Sequence, residues 1–151
     1  MKKTISLVLS LILIASLLCG CGIIRKDYSS AAKSCRRFLS RNIEEMTSIA
    51  EDLLNDETDV RESSGHYKDH YYSLEEDADG EKYVKFDIDA QGMLGGQYWS
   101  LIYSPDGTLY GQSETYYSEE TDGNNIFRAE KIDGSWWYYW VDYDGTELSQ
   151  K

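Results

Sequence analysis

His66 and His70, in the run HYKDH, are the first side chains here that invite a chemical reading. At a separation of four they share a face of either a helix or a strand, a placement compatible with holding one metal ion. Such a site needs a third ligand, and Asp69 would fall on the wrong face of a strand while Glu62 is not fixed by the pattern. Both are read as surface histidines among tyrosines, and no metal is assigned. The acidic run EEDADGE, Glu75 to Glu81, sets acids at alternate positions before a glycine, as in the first half of a calcium loop. Counted from Glu75, however, the position that needs a bidentate glutamate is Phe86, and the apolar position before it is Lys82. The run is therefore read as a charged hairpin turn. No Gly-x-Ser-x-Gly elbow is present, and no cysteine outside the first part of the chain could pair with a histidine. Close carboxylates arise by chance in so acidic a chain. A small hydrolase or metal-dependent activity on His66, His70 and nearby carboxylates stays as an alternative, with no cofactor expected.

The aromatic residues carry a different chemistry. Twelve of the 13 tyrosines lie after residue 60, and Trp136 to Tyr143 reads WWYYWVDY. On a strand, Trp136, Tyr138 and Trp140 point one way, and Trp137, Tyr139, Val141 and Tyr143 the other. A helix can cover only one of these sides. The other is left as an aromatic surface, or is covered by a loop or a partner. Exposed aromatic patches often mark binding sites, and Tyr and Trp suit them because each keeps one polar end wet. Trp137, Tyr139 and Tyr143, with Tyr83 as a neighbour, are the candidate ligand-binding residues. WYYWVDYDGTEL, Trp137 to Leu148, resembles the aromatic hairpins of choline-binding cell-wall repeats, although those repeats act in tandem and this segment occurs once.

Two kinds of element must position these residues. From Ser29 to Asn55, Ala32, Cys35, Leu39, Ile43, Met46, Ala50 and Leu53 recur at steps of three and four, with Phe38, Ile49 and Leu54 widening the stripe. That spacing predicts a long amphipathic helix, capped by Asp27 or Ser29 and ended by NDETD, with Cys35 buried and inert. After about residue 65, Asp-Gly pairs at 79–80, 106–107, 122–123, 133–134 and 144–145 separate short runs rich in Tyr, Trp, Ile and Val. Asp and Gly tolerate the positive φ angles of tight hairpin turns. Strands are expected near 66–74, 81–89, 97–104, 108–117, 125–132 and 136–143. In the second of them Val84, Phe86 and Ile88 alternate toward the core, with Tyr83, Lys85 and Asp87 toward water. One helix followed by hairpins predicts an α+β fold: a long N-terminal helix packed on an antiparallel meander sheet of five or six strands.

The chain begins with Lys2 and Lys3, then an apolar run of about 15 residues, too short for the roughly 20 apolar residues that cross a hydrocarbon core. The run closes on LCGC, Leu18 to Cys21, which resembles the lipobox of bacterial lipoproteins. The resemblance implies a signal peptide over 1–20, a diacylglyceryl group on Cys21, a lipidated tether over 21–28 and one domain over 29–151. It also implies a protein held on the outer side of a membrane. With Cys21 acylated, Cys35 has no partner for a disulfide. The formal charge of −12 is uneven: residues 21–41 carry six basic side chains against Asp27, whereas residues 42–151 carry 7 basic and 26 acidic ones. Anionic headgroups attract the first segment by about 1 kcal/mol per nearby charge. The acidic remainder is repelled from membranes and nucleic acid alike. The expected function is a membrane-anchored, extracytoplasmic binding module, without catalysis, for a protein, peptide or cell-wall glycan. A regulatory or immunity lipoprotein that blocks a basic partner is a further alternative.

Overall fold

A computed structural model describes residues 28–56, 63–91, 96–121 and 125–143. The leader, the lipobox, Cys21 and the Asp27 cap lie outside these residues. The helix α1 spans Tyr28–Asn55, so Ser29 sits inside its first turn rather than capping it. Ala31, Ala32, Cys35, Leu39, Met46 and Ala50 form its buried stripe, as the three-four spacing requires. Each fully buried Leu or Met contributes roughly 1.5–3 kcal/mol relative to exposure.

Seven strands follow among the described residues: β1 (Ser64–Tyr67), β2 (His70–Glu76), β3 (Lys82–Gln91), β4 (Gln97–Tyr103), β5 (Tyr116–Thr121), β6 (Asn125–Asp133) and β7 (Trp136–Asp142). They form one sheet in the order β1-β2-β3-β4-β7-β6-β5, with every neighbouring pair antiparallel. The α+β architecture is the one the sequence predicts, with three differences in detail. The expected strand at 66–74 is two strands, because Lys68 adopts a left-handed φ of 55° and folds the chain back at Lys68-Asp69. The expected strand at 108–117 is mostly a loop. The meander is also interrupted: after β4 the chain crosses to the far edge as β5, and β6 and β7 return so that β7 docks against β4.

This detour makes β7 a central strand. It pairs with β4 from Gln97–Asp142 to Tyr103–Trp136 and with β6 on its other side. The helix lies across β3, β4 and β7. Beneath it Val84, Phe86, Trp99, Leu101, Trp136, Tyr138 and Trp140 form the main core. Side-chain hydrogen bonds fix the helix over the sheet, among them Trp136 Nε1 donating to Thr47 Oγ1 at 3.2 Å and Tyr103 OH to Glu51 Oε1 at 3.2 Å. On the opposite face Tyr83, Ile102, Leu109, Ala129 and Trp137 form a second, smaller core.

Candidate binding surface

The second core exists because the connection from β4 to β5, residues 104–115, straps across the face opposite the helix. SPDG begins it: Gly107 N–H donates to Ser104 O at 3.0 Å, closing a turn. Asp106 Oδ1 accepts from Thr108 N at 2.9 Å and from Ser104 Oγ at 2.7 Å, and Oδ2 accepts from Thr108 Oγ1 at 2.7 Å. Those donors, the Thr108 backbone N–H first among them, hold the Asp106 carboxyl below its ordinary range. Gly107 has φ of 74°, and a Cβ there would meet Lys131 Nζ at 2.9 Å and Gly134 O at 3.0 Å. The positive φ and this close approach favour glycine here, and Lys131 Nζ donates to Gly107 O at 2.6 Å, pinning the strap to β6. Leu109 and Gln112 then exchange two backbone hydrogen bonds of 2.9 Å around Tyr110 and Gly111. Both central residues have positive φ, 51° and 68°, the geometry of a type I′ turn. Asn-Gly is the usual choice there. A tyrosine in the left-handed region costs about 1–2 kcal/mol.

The strap decides the fate of the aromatic residues that the sequence singles out. Trp137 is fully buried under Leu109 and Lys131, whose ammonium lies 5.5 Å from the indole centroid. It is a core residue and offers no surface for stacking. Tyr83 is also buried, at 7% exposure, instead of facing water. Its hydroxyl donates to Glu75 Oε2 at 3.1 Å and lies 3.3 Å from the Tyr110 hydroxyl. Tyr139 is half-buried, and burial raises the phenol pKa of both Tyr83 and Tyr139 well above the usual value. Of the four candidates, only Tyr143 is open, at 45% exposure.

A different set of rings forms the accessible surface. Tyr98 meets Tyr143 at 5.6 Å, Tyr143 meets Phe127 at 6.3 Å, Phe127 meets Tyr139 at 6.5 Å, and Tyr139 meets Tyr110 at 6.1 Å. Tyr110 closes on Tyr83 at 5.8 Å. The row thus crosses β4, β7 and β6 and ends on the strap, with Tyr98, Tyr110 and Tyr143 exposed. Its rings do not lie flat. Tyr98–Tyr143 and Phe127–Tyr143 are close to perpendicular, at 80° and 85°, so edges and hydroxyls alternate with faces. A polar row runs beside it: Ser100 Oγ donates to Asp87 Oδ1 at 3.0 Å, and Lys85 Nζ lies 3.4 Å from Asp87 and 3.6 Å from Glu75. Burial opposes the charge on Lys85, but the two carboxylates outweigh it and raise the ammonium pKa.

Sequence reasoning missed Tyr98, Tyr110 and Phe127. The register of β4 on β7 sets Tyr98 opposite Val141 on this face, and pairing order cannot be read from one strand alone. Tyr110 carried a local signal, Tyr-Gly after an Asp-Gly turn, that a strand pattern over 108–117 obscured.

The histidines do not converge. In the β1–β2 hairpin Tyr67 stands opposite His70 while His66 stands opposite Tyr71, so the two imidazoles occupy opposite faces. His70 packs on Phe38 of the helix at 4.6 Å, and His66 packs on Tyr71 at 5.5 Å. Among the described residues no group of three His, Cys, Asp or Glu side chains is placed to hold a metal ion. The acidic run ending at Glu81 is a hairpin turn whose Asp77 Oδ1 accepts from Asp79 N and Glu81 N, both at 2.9 Å. No described helix is long and apolar enough to cross a membrane. No known protein family, curated protein or solved structure matches the chain.

Proposed function

We propose that this chain is a membrane-anchored extracytoplasmic lipoprotein whose strap-covered sheet face binds a polypeptide partner without catalysis. The observation that carries the reading is Tyr110. A bulky side chain is held in a left-handed turn, where Asn or Gly would fit without strain, and its ring completes an exposed row. Backbone strain persists where the surroundings over-determine it, and such positions cluster at functional sites. The perpendicular rings favour a polypeptide over a glycan. Sugar stacking wants a broad ring face, whereas mixed edges, faces and hydroxyls suit the mixed apolar and polar surface of protein. Tyrosine gives large contact area at low entropic cost in such interfaces. The excess of acidic side chains after residue 41 favours a partner with basic residues around its contact. This agrees with a blocking or regulatory role as readily as with passive recognition.

A photo-activated crosslinker at Tyr98, in cells producing the protein, is expected to give a discrete protein adduct that Tyr143→Ala abolishes. The same crosslinker at Ser34, on the exposed side of the helix, should give none. Equal adducts from both positions, or retention of the protein on purified cell-wall glycan that Tyr98→Ala and Tyr143→Ala together remove, would contradict the polypeptide reading. Cys21→Ser should release the protein from membranes. Continued membrane retention of that variant would count against the anchor.

A further inference from the structure

The charges along α1 run against what the helix itself would favour. A helix is stabilised by acids in its first turn and bases in its last. Here the first turn has no acid and the last has no base. Lys33, Arg36, Arg37 and Arg41 occupy the first half, whereas Glu44, Glu45, Glu51 and Asp52 occupy the second. Helix stability therefore does not account for the gradient. Arg36 is used internally, in an ion pair with Glu130 at 2.5 Å. Lys33, Arg37 and Arg41 are exposed, and none of them takes part in the ion pairs among the described residues. Their spacing of four stacks them in one row, over about 12 Å at 1.5 Å per residue. The buried stripe through Ala32, Cys35 and Leu39 lies against the sheet, so this row forms the outer back of the helix.

We infer that the row Lys33, Arg37 and Arg41 docks on anionic lipid headgroups and sets the orientation of the protein on the membrane. The row starts five residues after the first described residue of the domain, on the N-terminal side where the tether to Cys21 arrives. It is the basic counterpart to an otherwise acidic domain. Because the helix covers one side of the sheet and the ring row lies on the other, docking by the helix back turns Tyr98, Tyr110 and Tyr143 away from the bilayer. The acidic second half, with Glu44, Glu51 and Asp52 exposed, lifts from the same surface and tilts the helix with its N-terminal end down. The inference rests on the anchored reading above, but its test does not depend on acylation of Cys21.

Every described element and core side chain lies after Asp27, so a chain beginning at Gly22 contains all of them, and its far-ultraviolet circular dichroism is checked against the full chain. Given an N-terminal hexahistidine, it can be tethered to vesicles containing a nickel-chelating lipid, with phosphatidylcholine alone or with added phosphatidylglycerol. Acylation of lysines by a soluble reagent is then followed by mass spectrometry, with exposed Lys82 as the internal control. Lys33 is expected to react roughly fivefold or more slowly on the phosphatidylglycerol vesicles, the factor that about 1 kcal/mol of headgroup attraction per charge implies. High salt and Arg37→Gln/Arg41→Gln should each restore its rate. Equal Lys33 reactivity on the two vesicles, or the same slowing by soluble glycerophosphate without phosphatidylglycerol, would overturn the inference. Continued membrane retention of Cys21→Ser with Lys33 protection intact marks failure of the anchor alone, and release of Cys21→Ser with no Lys33 protection marks failure of the docking row alone.

Discussion

On one side of the sheet a 28-residue helix seals Phe86, Trp99, Leu101, Trp136, Tyr138 and Trp140 under an apolar stripe. On the other, a strap contributes a single buried apolar side chain, Leu109, and leaves Tyr98, Tyr110 and Tyr143 exposed. The difference is one of covering chemistry. A long amphipathic helix presents an apolar residue every three or four positions and excludes water from the centre of the face, over β3, β4 and β7. A strap closed by Asp106, Gly107 and a two-residue turn covers only what Leu109 and Tyr110 reach. The helix side therefore holds the fold, and the strap side holds aromatic groups in place while keeping their edges wet.

Core truncations should separate the two faces most strongly. Phe86→Ala, in the helix-side core, is expected to lower unfolding stability by about 3–5 kcal/mol. Leu109→Ala should cost about 2 kcal/mol, at the low end for Leu because a surface strap can settle into the space left. Urea unfolding measures both. Equal losses would break the contrast between the faces, and a larger loss at Leu109 would reverse it.

Alkaline pH sharpens the same comparison. Burial raises the phenol pKa of Tyr138 on the helix side, and of Tyr83 and Tyr139 under the strap, far above the usual value. In the unfolded chain these phenols ionise at about pH 10. A folded pKa above the unfolded one means that stability is intact below pH about 10 and falls as pH rises past it. Phenolate absorbance and far-ultraviolet circular dichroism, followed together, should show these three tyrosines ionising only as secondary structure is lost. Titration of Tyr83 and Tyr139 in a still-folded protein would show that the strap leaves its face open.

How far the sequence alone reaches follows the same division. The stripe from Ala32 to Leu53 names the helix and its buried side because helical periodicity is local. The alternation of Val84, Phe86 and Ile88 likewise identifies β3. The strand from Trp136 is also legible, with rings on both faces. What covers the second face is not legible, because it depends on β5 being carried to the far edge, a choice made by tertiary pairing. Thr108 to Tyr117 has the composition of a strand, and that pattern outweighs the one local hint, Tyr110-Gly111, that the chain turns there with positive φ. Trp137 is the instructive case. Its residue type suggests a ligand platform, yet the register that sets it opposite Ile102 places it beneath the strap.

Tyr110→Asn tests the central claim most directly. Asparagine accepts the left-handed turn, so relief of strain should offset the lost ring contacts and leave stability within about 1 kcal/mol of the parent. If the strained tyrosine serves recognition, this variant stays folded, and the protein adduct formed by the crosslinker at Tyr98 disappears. A variant that loses more than about 1 kcal/mol while the adduct persists would show Tyr110 to be a packing residue, and would contradict the account.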